Sequence, residues 1–323
     1  MEKGFDGRYF MRVFEGYHKG VNLGGWLSQC VHKKEHYDTF ITKEDFAILS
    51  KWNIDHVRVP VDYDLVEDRD GNYLEDGFAY IENAIMWARE YGLNLVLDLH
   101  KTFGYSFDDG EQESGFFENE AYQERFYRLW EQFTIRFAKY ADTVSFELLN
   151  EVTAKEYMPA WTKIALRTIA DIRKKAPDIR ILLGGYYNNS VVSVPDLPDI
   201  DDENVIYNFH CYDPLVFTHQ GAPWVKDMPL DFRMKYEDSG ATVEYFENLF
   251  AAAIETAKAR NKALYCGEYG CIDRVGDEDT LKWYRALHTV LERYQIGSAA
   301  WSFKRMDFAL NEENRKKTVA EIF

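Results

Sequence analysis

Apolar residues return along this chain in two alternating rhythms. Short apolar or β-branched runs occupy residues 21–26, 56–60, 93–100, 144–151, 179–185, 205–212, 263–270 and 297–304. Several are almost continuously apolar at their starts, as in Leu93-Asn94-Leu95-Val96-Leu97 and Ile181-Leu182-Leu183. Strands buried on both faces read this way. Between the runs lie stretches in which apolar residues recur every three to four positions. In 122–140 that spacing puts Phe126, Leu129, Trp130, Phe133 and Phe137 on one helical face. Start signals support the helices. Thr42 with Asp45 opens one running through Trp52, Asp76 precedes another over 78–91, and Pro159 begins 159–175 where its missing N–H does no harm. Two more cover 241–260 and 277–294.

Eight runs, each followed by connecting chain of helical length, predict a single (β/α)8 TIM barrel of class α/β over 1–323. A doubly wound open sheet is the fallback. It is disfavoured because Val21-Asn22-Leu23-Gly24-Gly25 lacks the glycine spacing of a phosphate-binding turn. Residues 213–240, after the sixth strand, are too many for a simple turn and are expected to form an extended functional loop.

Composition narrows the ligand. The 323 residues carry 38 Lys+Arg against 55 Asp+Glu, a net charge of −17. That balance argues against nucleic acid, which calls for clustered cations. No run approaches the ~20 apolar residues of a membrane span, and residues 1–20 lack the apolar core of a secretory signal. The four cysteines (Cys30, Cys211, Cys266, Cys271) form no CxxC pair and read as reduced thiols. The expected location is the cytoplasm, or outside the cell with a signal already removed. The chain is expected to act as a monomer. Aromatic residues make up 16% of the sequence. Most of those rings fill a core, but a surplus suits a ligand with flat apolar faces, such as a sugar.

In a barrel of this kind the chemistry collects at the C-terminal ends of the strands. Those ends carry Arg58, His100, Asn150, Glu151, His210, Tyr212, Glu268 and Trp301. Glu151 and Glu268 fall on the fourth and seventh strands, which lie across the barrel from each other. Paired carboxylates suit glycosidic cleavage, one protonating the leaving oxygen while the other attacks or activates water. Two separate structural salt bridges are the alternative reading of the glutamates alone. Arg58 can keep a carboxylate ionised, and Asn150 can donate to a sugar hydroxyl. His100 and His210 can donate to hydroxyls or carboxylates, Tyr212 shares the strand face of His210, and Trp301 offers a floor for a pyranose.

Read in order, Arg58 in HVRVP, His100 in LDLH, Asn150-Glu151 in FELLNE, His210 and Tyr212 in NFHCY, Glu268 in YCGEYG and Trp301 in AAWSFK resemble glycoside hydrolase family 5. The resemblance runs from about Val21 to Asp307. Within it, NLGGWLSQ, EHYDTFIT and IDDENVIYNFHCYDPLVFTHQ are similar to compact bacterial endoglucanases. The resemblance implies an endo-β-1,4-glucanase acting on cellulose derivatives, lichenan or mixed-linkage glucan. It implies Glu151 as acid/base and Glu268 as nucleophile, with retention of configuration and no metal or organic cofactor. Lys101 stands where the family often has a second histidine, so contacts to the non-reducing side of the substrate are expected to differ. Exo-acting β-glucosidase or β-1,3-glucanase, β-mannanase and β-mannosidase remain as alternatives within the family. An inactive carbohydrate-binding barrel is the alternative outside enzymology. Trp26, Phe103, Tyr105, Phe217 and Trp224 are candidate stacking rings and His219 a candidate polar contact. Loop packing is the competing reading for each ring.

Overall fold

The computed structural model describes residues 11–108 and 113–323. Eight parallel strands close in chain order into a barrel. They are β1 (Lys19–Asn22), β2 (His56–Asp62), β3 (Asn94–Lys101), β4 (Val144–Glu147), β5 (Arg180–Leu183), β6 (Val205–Cys211), β7 (Leu264–Tyr269) and β8 (Gly297–Ala300). The seam pairs β1 with β8, with Lys19 opposite Ser298. The (β/α)8 expectation therefore holds strand for strand. Several strands are shorter than their apolar runs, and at two of them this moves site residues. β4 stops at Glu147 and β8 at Ala300, so Asn150, Glu151 and Trp301 stand in the turns beyond the ladder.

Helices cover the barrel where the periodicity placed them. Lys43–Leu49 begins with a capping box, in which Thr42 N–H donates to Asp45 at 2.8 Å. Glu75–Glu90, Glu120–Phe137, Met158–Arg173, Val243–Ala259 and Asp277–Arg293 follow. The stripe Phe126, Leu129, Trp130, Phe133 and Phe137 is buried against the barrel. After β5 the sheet is followed only by the short turn Tyr186–Asn189 and the 3-10 segment Val191–Asp196. Residues 213–240 contain two four-residue helices, Leu215–Thr218 and Tyr236–Ser239, joined by irregular chain. Among the described residues no helix is long and apolar enough to cross a membrane. All four cysteines are free.

Inside the barrel, polarity changes with height. At the bottom a small core gathers Val96, Leu182, Ile206, Tyr265 and Ala299, capped from below by Phe14 and Tyr17. The Phe14 and Tyr17 rings stack with centroids 4.1 Å apart. One layer up, side chains pointing inward from alternate strand positions are charged or amidic: Asn22, Arg58, Asp98, Glu147 and Asn208, all fully buried. The catalytic candidates occupy the layer above.

Two irregularities shape that upper layer. Between β6 and β7, Phe209 pairs with Cys266 but His210 pairs with Glu268, leaving Gly267 as an extra residue. Its backbone groups leave the ladder and find side chains instead. Gly267 N–H donates to Asn208 Oδ1 at 3.1 Å, and its carbonyl accepts from Asn22 Nδ2 at 2.9 Å. A side chain here would crowd the site, since a Cβ on Gly267 would lie 2.7 Å from Asn208 Oδ1. A second shift near the top of β2 and β3 pairs Val61 with Leu99 and then Asp62 with Lys101, setting His100 apart. Bulges of this kind commonly re-aim side chains beside active sites.

Candidate active site

Arg58 is the hub. It is fully buried on β2, and every donor of its guanidinium is engaged. Nε and Nη2 grip the two oxygens of Glu147 at 2.7 and 2.8 Å. Nη1 donates to Glu268 Oε1 at 2.7 Å and Asn22 Oδ1 at 2.9 Å. Nη2 also reaches Asn150 Oδ1 at 2.8 Å and Asp98 Oδ2 at 3.0 Å. Burial alone would push the guanidinium toward neutrality, but the carboxylates of Asp98, Glu147 and Glu268 outweigh it and hold the cation.

Glu268 is thus tied to a fixed positive charge through one oxygen, while the other accepts from Tyr212 OH at 2.9 Å. Glu151 sits in different surroundings. Its Oε1 lies 2.7 Å from His210 Nδ1 and its Oε2 accepts from Asn188 Nδ2 at 2.8 Å. The residue is only 8% exposed. Burial raises its carboxyl to about 7, against the opposing pull of Asn188, His100 and Arg58. One oxygen from each glutamate and a ring nitrogen of His210 lie within 4.8 Å of one another. His210 is itself driven down to about 4 by burial and stays neutral between the two carboxylates.

His100 is oriented from behind. Its Nδ1 lies 2.6 Å from Asp98 Oδ2, so Nδ1–H donates to the carboxylate and Nε2 is left as an acceptor. Burial raises the Asp98 carboxyl to about 7. The Trp301 ring stacks on His100 with centroids 5.6 Å apart and planes 5° from parallel. Gly24 makes room for that indole, since a Cβ there would lie 2.7 Å from it. Asn150 is fixed by its N–H to Leu99 O at 3.0 Å and by Arg58, which leaves its Nδ2 directed toward His100 Nε2 at 3.5 Å. Lys101 turns aside, its Nζ 3.7 Å from Asp62 Oδ2 and 3.9 Å from Asp64 Oδ2.

The structure thus brings Arg58, His100, Asn150, Glu151, His210, Tyr212, Glu268 and Trp301 to one place. The outlying rings behave differently, and most of those expectations need correction. Trp26 has no exposed surface. Its Nε1 donates to Tyr37 O at 2.9 Å and its ring stacks on Trp87, so it is core. Phe217 is equally buried. Phe103 carries the Arg125 guanidinium 3.7 Å over its face and packs edge-on against Tyr63 and Tyr122, so it serves the loop. Tyr105 is buried, and its OH donates to the Glu151 carbonyl at 2.5 Å while accepting from Thr153 N–H at 2.9 Å. It braces the turn that carries Glu151 instead of facing a sugar. His219 packs between Tyr212 and Phe308, and burial lowers it to about 4. Only Trp224, 54% exposed and edge-on to His219, keeps a surface free for stacking.

Five contributors were not singled out from sequence: Asn22, Asp98, Glu147, Asn188 and Asn208. For Asp98 a signal existed, because it lies two residues before His100 and shares its strand face. Glu147 sits at an inward position of β4, two after Ser145, where a single carboxylate inside an apolar run carries no motif of its own. Asn188 had no sequence signal beyond the left-handed tolerance of asparagine.

The arrangement supplies one carboxylate gripped by a buried guanidinium and a phenol hydroxyl, beside a second carboxyl that burial raises to about 7, with a flat ring nearby. Comparison with known proteins identifies the family of the chain. Residues 16–307 match the family Cellulase (glycosyl hydrolase family 5). Cellodextrinase A of Ruminococcus flavefaciens is 50% identical over 278 residues, covering 86% of this chain and 83% of that protein. Endoglucanase C of Acetivibrio thermocellus is 37% identical, covering 94% and 96%. Among solved structures, Thermotoga maritima Cel5A in complex with cellobiose superposes with a TM-score of 0.81 at 22% identity, over 94% of this chain and 96% of that one, a likeness of fold. The chain belongs to the cellulase family of glycoside hydrolases, glycosyl hydrolase family 5.

Proposed function

We propose that this protein is an endo-acting β-1,4-glucanase that works by retaining double displacement, with Glu268 as nucleophile and Glu151 as acid/base. The observation that carries the roles is the contrast between the two carboxyls. Glu268 is held on both oxygens by donors, the Arg58 guanidinium and the Tyr212 hydroxyl, the surroundings that suit a nucleophile. Glu151 holds its proton to about pH 7, as an acid operating near neutrality must. One oxygen of each lies within 4.8 Å of the other, so both carboxyls can face a single anomeric centre, as double displacement requires. In the first step Glu268 attacks the anomeric carbon while Glu151 protonates the departing oxygen. In the second, the Glu151 carboxylate takes a proton from water, which displaces Glu268 and restores both groups.

Arg58, Asn150, Tyr212 and His210 are positioning groups in this scheme. His100 and Trp301 form the wall and floor of the sugar site nearest the nucleophile, and Trp224 is the remaining candidate ring further out. The substrate is a neutral β-1,4-linked glucan, with lichenan and mixed-linkage glucan in range. A second reading, cleavage of short soluble cellodextrins, draws on the 50% identity to cellodextrinase A and uses the same chemistry.

Azide separates the two carboxyl roles. Glu268→Ala is expected to lose glucan hydrolysis and, with azide and an activated aryl β-cellobioside, to give the α-cellobiosyl azide by one displacement. Glu151→Ala is expected to give the β-azide from the glycosyl-enzyme. The opposite pattern, or wild-type turnover in either variant, rejects the assignment. Viscosity loss on lichenan and carboxymethyl-cellulose, against product release from cellodextrins alone, decides between the two substrate readings.

A further inference from the structure

Three consecutive non-glycine residues after β5 are left-handed: Tyr187 (φ 52°), Asn188 (φ 57°) and Asn189 (φ 55°). Residues of L-chirality visit this region singly, not in runs, so something must hold the turn. Two links tie it to the segment carrying Glu151. Asn188 N–H donates to Val152 O at 3.0 Å, and Asn188 Nδ2 donates to Glu151 Oε2 at 2.8 Å. Ser190 N–H closes the turn on Tyr186 O and Tyr187 O, both at 3.1 Å, and Asn189 is fully buried.

We propose that Asn188 is a positioning residue for the acid/base carboxyl, presented by this left-handed turn to the oxygen of Glu151 that His210 does not hold. The assignment rests on the role given to Glu151 above. Each oxygen of Glu151 has one protein partner, and the two partners differ in kind. His210 Nδ1 on β6 either gives or accepts a proton, whereas Asn188 Nδ2, the atom on Glu151, only donates and carries no charge. The other titratable and charged groups near Glu151 are His100 and Asp98 from β3, Tyr105 from the loop after it, Arg58 from β2, and Glu268 and Tyr212. None of these offers Oε2 a neutral donor. Such a donor favours the carboxylate without supplying or trapping a proton. Glu151 is in that state after it has protonated the leaving oxygen and before it deprotonates water. Asn188 therefore eases both the loss of the proton in the first step and the waiting anion in the second.

The test is the pH dependence of kcat/KM on an aryl β-cellobioside for Asn188→Gly and Asn188→Asp, with thermal unfolding measured alongside. Glycine keeps the left-handed backbone and removes the amide. Aspartate keeps the shape and turns the donor into a second anion. The alkaline limb is expected to move up by at least about half a pH unit in Asn188→Gly and further in Asn188→Asp, since loss of a donor and gain of a like charge both favour the protonated carboxyl. Asn188→Gly is expected to unfold at or above the wild-type temperature. Wild-type limbs in both folded variants overturn the proposal. If only one variant folds, its limb decides. Failure of both to fold overturns it too, because the side chain would then be a structural strut. Glu151→Gln, assayed in parallel, separates the premises: wild-type turnover there defeats the acid/base role itself. An inactive Glu151→Gln with unshifted Asn188 variants defeats only the positioning role.

Discussion

At the scale of the residue, the site is a problem in buried charge. One guanidinium answers for Asp98, Glu147 and Glu268, and burial lifts Asp98 and Glu151 to about 7. Two predictions follow from Glu151. First, kcat/KM on a neutral glucan falls as pH rises through about 7, because the acid form is lost there; a pH–rate profile checks it. Second, Glu151→Gln stabilises the fold at pH 8 but not at pH 5. A carboxyl whose folded pKa exceeds its unfolded value contributes stability in its protonated form and loses it as pH rises through the folded value. Glutamine mimics the protonated form at every pH, accepting from Asn188 and donating to His210. The gain at pH 8 is on the order of 1–3 kcal/mol, measured by urea unfolding at both pH values. The strand-end residues were legible because inward parity and chemical type coincide in motifs such as LDLH and FELLNE. The outlying rings were not. Nothing in the sequence around Trp26 or Tyr105 says that an indole N–H will meet Tyr37 O or that a phenol will brace a backbone carbonyl.

Elements set where those residues stand. Apolar runs marked all eight strands, yet run length overstated β1, β4, β5 and β8; in β4, Leu148 and Leu149 are buried in a turn as thoroughly as in a strand. The extra residue in β7 could not be read either, since a glycine in an apolar run looks like any other strand position. Gly267 lifts Glu268 by about one strand residue, roughly 3.3 Å, while keeping it pointed inward. Cys266 and Tyr269, on either side, both face the outer core. Gly267→Ala is expected to push Asn208 and His210 from their places, a Cβ there lying 2.7 Å from Asn208 Oδ1 and 3.2 Å from His210 Nε2. Overpacking of this kind costs about 1–3 kcal/mol of stability. A displacement of the nucleophile's neighbours worth about 1.4 kcal/mol lowers kcat tenfold. Urea midpoints and kcat on lichenan measure the two effects, and an alanine variant with wild-type kcat would show that the bulge does not position Glu268, the proposed nucleophile.

The whole molecule carries a net charge of −17 and the proposed substrate carries none. Binding should then be indifferent to salt, while an anionic polymer should be repelled until the field is screened. With the Debye length shrinking from about 10 Å at 0.1 M to about 3 Å at 1 M salt, kcat/KM on carboxymethyl-cellulose is expected to rise with salt and that on lichenan to stay within about twofold. Parallel initial rates in rising sodium chloride check it; equal salt responses would contradict the charge argument. The Arg58 network also has a temporal meaning. Its members come from strands spread along the chain: Arg58 and Asp98 lie early, Glu147 near the middle and Glu268 on the seventh strand. A ribosome delivers proteins from the N-terminus, so the growing chain holds Arg58, Asp98 and Glu147 for more than a hundred residues of synthesis before Glu268, the proposed nucleophile, exists. Catalytic competence is therefore among the last properties this polypeptide acquires as it is made.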